Sequence, residues 1–277
     1  MMDISLSLAL FVILLFGVPH GAFDIIFLKT VAKNSSKTHW VWVTLLLMLV
    51  YIMIIIAVVI CWYAQPLPMM LIFLCLSTIH FGDVVSVHGM HNKMARLSCI
   101  TYGGLVTIFL PLLHWRQVEP IFNSLLFGQL AHFEWCLNIA FIVWIMCFAR
   151  YLKYAWKSMP LHEHVVLIAT IFLFIIMPPL LAFVIYFCGY HSPKHFIYMF
   201  KRNPNLMREE GLLCLAILCL TWVTAFLVYF NLVQVMSVFN SSAYLLFIGL
   251  FALTVPHMIL VDGIYSRSKQ SFLGQPT

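Results

Sequence analysis

The chain has 277 residues, 64% of them hydrophobic and only 9% charged, with a mean hydropathy of +1.02. Soluble domains carry roughly 25% charged residues, so this composition excludes an ordinary soluble protein and indicates an all-α, polytopic transmembrane helix bundle. The length leaves room for little besides spans and short connections, so residues 1–277 are expected to form a single transmembrane domain. The formal net charge of +6 then calls for anionic lipid heads and needs no nucleic-acid partner.

Nine spans are expected in chain order, at about 4–28, 40–62, 67–89, 97–115, 131–150, 162–178, 179–200, 211–231 and 241–264. Each approaches or exceeds the ~20 apolar residues that cross about 30 Å of hydrocarbon. The first could pass for a signal peptide. It lacks a basic n-region, however, and runs through His20 and Asp24 without a small-residue cleavage site, so it is expected to be retained. The sixth and seventh need a break, because one helix over 162–200 would be about 58 Å long. Pro178-Pro179 supplies it.

The basic residues test this count. With nine spans, thirteen of the fifteen Lys and Arg residues, from Lys29 to Lys269, fall on one side, Arg116 alone falls on the other, and Lys194 lies within a span. That bias places the N-terminus outside and the C-terminus in the cytoplasm. A multi-pass protein of a cell membrane is expected, the inner membrane of a bacterium or archaeon. The eight cysteines are scattered without a CxxC pair and read as buried small apolar residues.

Five histidines lie inside these apolar segments: His20 in VPHGAFD, His80 in IHFGD, His191 and His195 in GYHSPKH, and His257 in VPHMILVD. All belong to odd-numbered spans, which run in one direction. Counted from the outer ends, they occupy a layer only about 6 Å thick. Imidazoles are costly in a bilayer and rarely accidental, and convergence at one level is what a site in a bundle core requires. His191 and His195, at i and i+4, share one helix face. Pro193 loosens the turn between them, and Pro19 and Pro256 perturb two more entries.

Asp24, Asp83 and Asp262 stand four, three and five residues past His20, His80 and His257. They are candidates to hold ligand imidazoles from behind, to ligate directly, or to reach the inner interface. His88, His91, His162, His164 and His39 read as interfacial, and His114 and His132 as solvated loop residues. Phe23, Phe81, Phe187 and Tyr190 are candidates to line an apolar tunnel.

Imidazoles without thiolates suit Fe, Zn, Cu or Ni. The HExxH helix of zinc hydrolases is absent, and di-iron hydroxylases carry many more histidines than this. A mononuclear iron with four imidazoles and open positions fits best. Other classes remain open at this point: a different histidine-ligated membrane oxidase, a metal or proton transporter, or a photoreceptor with retinal on Lys194. A transporter predicts polar groups spread along the membrane normal, and an opsin predicts seven spans.

In order and spacing over most of the chain, VPHGAFD, HFGD, YHSPKH and VPHMILVD resemble the Brp/Blh family, the bacteriorhodopsin-related membrane β-carotene 15,15′-dioxygenases. The resemblance implies an iron-dependent membrane enzyme, using Fe(II), that cleaves the central double bond of β-carotene with dioxygen to give two molecules of retinal. It implies iron ligands at His20, His80, His191 and His195. His257 matches the family's C-terminal PH motif, with its role open between additional ligand and support. It also implies functional coupling to a retinal-binding opsin.

Overall fold

A computed structural model describes residues 2–36, 38–82, 92–202 and 206–260. The described chain is helical throughout, with no strand among those residues. Among the described residues, five helices are long and apolar enough to cross a membrane: Trp40–Ala64, Ala95–Leu113, Leu130–Tyr154, Glu210–Val235 and Val238–Met258. Shorter apolar helices cover Leu6–Gly17, Pro66–Gly82 and Leu161–Ile176. The first expected span is not one rod. It is divided into Met2–Val12, a π turn over Ile13–Gly17, Pro19–Ala22 and Asp24–Ser35.

Contacts divide the chain into two compact units, one of Met1–Ala9 with Gln65–His195 and the other of Leu10–Ala64 with Phe196–Thr277. In the first unit, the Pro66–Gly82 and Asn92–Gly104 helices approach backbone to backbone. A Cβ added at Gly82 would strike the Cys99 carbonyl, and one at Gly103 would strike that of Thr78. Small residues permit such an approach where lipid provides no hydrophobic drive for helix association. Thr78 and Thr107 add a hydroxyl–hydroxyl bond of 2.6 Å.

The segment expected to be an external connection contains a twelve-residue helix, Trp115–Leu126. Its buried residues Val118, Ile121, Phe122, Leu125 and Leu126 recur at helical spacing, while Gln117, Glu119 and Asn123 are exposed. It is too short to register as a span, and its apolar stripe is that of an amphipathic helix lying on the unit. The cysteine expectation is also corrected: Cys214 is buried, but Cys61, Cys75 and Cys219 are exposed.

Proline shapes both units in the same way. It removes an N–H, and the orphaned carbonyl must find another donor in an apolar medium. The Leu161–Ile176 helix ends before Pro178-Pro179, so the Phe174 carbonyl has no N–H four residues on. His114 Nε2 takes that place at 2.7 Å, and since a carbonyl only accepts, the ring carries its proton on Nε2. The half-buried His114 is therefore a structural hydrogen-bond donor and not a solvated loop residue. In the second unit the π turn places Pro19 opposite the Leu14 carbonyl, and Trp222 Nε1 donates to it at 2.7 Å. Replacing His114 with alanine is expected to cost about 1–3 kcal/mol, the penalty for a buried acceptor left unmet, read as a lower unfolding midpoint in detergent.

The second unit has its own core. Phe23, Ile25, Ile26, Phe27 and Leu28 pack with Cys214 and Leu260, and the fully buried Trp62 meets Phe251 edge to face at 5.6 Å.

Candidate metal centre

In the first unit, Thr78 and Gly82 face the neighbouring Asn92–Gly104 helix. His80 is two residues from each, which in an α-helix turns it about 200° away from that contact. It is buried and meets His191, the last residue of the π turn Phe187–His191. The two Nε2 atoms are 3.0 Å apart, with ring centroids 4.7 Å apart and planes inclined at 64°. His191 is fully buried. π turns inside helices occur disproportionately at functional sites, and here the wider turn ends on the residue that reaches the other helix. His195 follows one turn later, partly buried.

Aromatic rings enclose the pair. Phe81 stands 4.9 Å from the His191 ring, Phe187 stacks on His191 at 5.6 Å, and Phe183 stacks on Phe187 at 5.6 Å. Two buried Nε2 atoms at this distance need a proton or a cation between them, since two lone pairs would repel. Ligands about 2.1 Å from one ion and at right angles are about 3.0 Å apart, so the pair fits two adjacent positions of an imidazole-bound metal.

In the second unit, His257 and Asp24 are both buried and joined by a 2.8 Å bond between Nδ1 and Oδ1. Tyr51 donates its hydroxyl to Asp24 Oδ2 at 2.9 Å. A carboxylate only accepts, so His257 carries its proton on Nδ1, and in the neutral ring the lone pair is on Nε2. This is how a carboxylate fixes the tautomer of a metal-binding histidine.

The structure therefore brings His80 together with His191, and Asp24 together with His257. Among the described residues, no three His, Cys, Asp or Glu side chains form a cluster that would hold an ion by themselves. The side chain of His20, and Asp83 and Asp262, lie outside the described residues. Two polar residues single themselves out that sequence reasoning passes over. Tyr51 is one tyrosine among many apolar neighbours, with no local signal. Glu163 is fully buried, and its only signal is a lone acid within LHEHVV at a span entrance.

The family model described as Beta-carotene 15,15'-dioxygenase matches residues 11–265. The chain is 31% identical over 259 residues to the Beta-carotene 15,15'-dioxygenase of uncultured marine bacterium 66A03, covering 93% of both chains. It is 23% identical over 203 residues to the Probable beta-carotene 15,15'-dioxygenase Blh of Halobacterium salinarum, covering 65% of this chain and 57% of that relative. No solved structure matches.

Proposed function

Since the chain belongs to the beta-carotene 15,15′-dioxygenase family and is an enzyme of that class, we propose that it cleaves β-carotene at its central double bond with dioxygen, giving two molecules of all-trans-retinal. The observation that carries the site is the buried His80–His191 pair, whose Nε2 atoms meet at 3.0 Å inside an aromatic shell. The residues proposed to hold Fe(II) are His20, His80, His191 and His195. Bound there, ferrous iron supplies the one-electron chemistry that lets dioxygen react with a closed-shell polyene.

The chain's own residues do the rest. Phe81, Phe183 and Phe187 keep water from the histidine pair and offer π faces to a flat, wholly apolar substrate. Orientation is the protein's main contribution, because a symmetric polyene is cut at its centre only if its ends are located. Asp24, held by Tyr51, keeps His257 in a single tautomer as support or as a further ligand.

The bilayer belongs to the same proposal. β-Carotene resides among lipid tails, and the Trp40–Ala64 helix exposes Leu45, Leu46, Leu49, Ile52 and Met53, an apolar face suited to lipid. Nine crossings, with the N-terminus outside and the C-terminus cytoplasmic, are supported by the distribution of Lys and Arg. Supply of retinal to an opsin is part of the same proposal and rests on the proposed product alone.

The test is expression in a bacterium that accumulates β-carotene, followed by chromatography of the extracted pigments. Loss of β-carotene with retinal as product, absent in a His191→Ala strain, is the expected result. Persistence of β-carotene beside folded, iron-loaded protein would overturn the substrate. Products of unequal length would overturn central cleavage.

A further inference from the structure

The turn that carries His191 and His195 is weakly held by its own backbone. Phe187–His191 is a π turn, and Pro193 has no N–H for the Gly189 carbonyl. Gly189 itself brings no side chain, and a Cβ there would meet nothing within 4 Å. The direction of the two imidazoles must therefore be set from outside the turn.

A second stripe, one residue out of step with the histidines, makes that connection. Tyr190 and Lys194 are also at i and i+4, about 100° around the helix from His191 and His195. Lys194 Nζ donates to the Tyr190 hydroxyl at 3.0 Å and to Glu163 Oε1 at 3.4 Å. Glu163 stands in the first turn of the Leu161–Ile176 helix. Its side chain is fully buried, whereas that of Lys194 is 30% exposed. A buried carboxylate is costly unless it is paired, so Glu163 holds the lysine in place.

Glu163 is itself anchored. Tyr102 donates its hydroxyl to the Glu163 carbonyl at 3.0 Å, and the Tyr102 and Tyr151 hydroxyls are 3.3 Å apart. Tyr102 adjoins Gly103, which packs against the helix of His80. The contacts thus close a circuit within one unit. It leads from the His80 helix through Gly103 and Tyr102 to Glu163, then to Lys194 and back to His191.

We propose that Glu163 is a positioning residue for the histidine pair: by holding Lys194 it sets the rotation of the turn bearing His191 and His195, and through it the affinity and geometry of the metal site. This rests on the metal-centre reading above.

The test uses the full-length protein in detergent, titrated with Co(II), whose visible absorption bands report the number and angles of its ligands. Glu163→Gln and Lys194→Met are each expected to weaken Co(II) binding about tenfold, the lower end of what supporting residues contribute, and to shift the bands. The double variant is expected to be no worse than either single one, because both remove the same link. Should Glu163→Gln fail to accumulate, Tyr102→Phe leaves the Glu163 side chain in place while removing the hydroxyl that bonds the Glu163 carbonyl and meets Tyr151, and is expected to shift the bands the same way.

Wild-type bands and affinity in the folded variants, with only the melting temperature lowered, would overturn the proposal by making the ion pair merely structural. Additive losses would also overturn it. If the wild type shows no Co(II) bands that depend on His191, the metal-centre reading fails, and the proposal fails with it. Bands lost in His191→Ala but unchanged in the Glu163 and Lys194 variants would overturn the positioning role alone.

Discussion

Replacing His80 with alanine is expected to stop retinal formation and to weaken iron binding by on the order of a hundredfold or more. Supporting residues around a metal typically contribute 10–100-fold in affinity, and a direct ligand contributes at least as much. The competing explanation is that His80 and His191 only hydrogen-bond two helices together. Such bonds inside membrane proteins average about 0.6 kcal/mol and reach about 1.7, so a structural role predicts a small loss of stability with iron and activity retained. The two outcomes are far enough apart to separate. Iron per folded protein, measured by elemental analysis beside the retinal yield, decides between them. Combining His80→Ala with His191→Ala should cost no further activity, because either change alone already leaves the site incomplete.

Gly103→Ala should be among the most destructive single changes in the chain, although it adds one methyl group. The new Cβ would overlap the Thr78 carbonyl and backbone, and backbone cannot swing aside as the end of a side chain can. Overpacking of a well-filled core costs about 1–3 kcal/mol and occasionally more, and here relief requires two helices to separate. The Thr78–Thr107 bond would be strained with them, and His80 would move with its helix. Folded protein recovered from the membrane, measured by size-exclusion chromatography, should fall several-fold. Gly211→Ala is the control of opposite sign. Nothing lies within 4 Å of a Cβ there, and alanine favours a helix over glycine by about 1 kcal/mol. Equal recovery of the two variants would contradict the close helix contact.

Much of the local architecture was legible before any coordinates, for reasons of chain-local physics. Backbone groups in hydrocarbon must be bonded internally, so a chain this apolar is helical. Pro178-Pro179 cannot continue a helix, and the Leu161–Ile176 helix stops just before it. The fracture of the first expected span at Val18 and Phe23 was less legible, since Pro19 marks only one of its two breaks. The Trp115–Leu126 helix leaves no long apolar run in the sequence, because it is short and only one of its faces is apolar.

The candidate site divides along the same line. By itself the sequence determined the class, the helical content, the family, and which imidazoles lie in apolar segments, because each depends on residue type and short-range spacing. Tertiary structure alone decided the partners. Asp24 bonds to His257, 233 positions away, and takes the Tyr51 hydroxyl as well. Glu163 was invisible until it met Lys194, and His114 changed from a loop residue to the donor for Phe174. The physical reason is common to all three. A buried polar group must be satisfied, but any donor or acceptor of suitable geometry will serve, and only the packing of helices distant in sequence selects which one arrives.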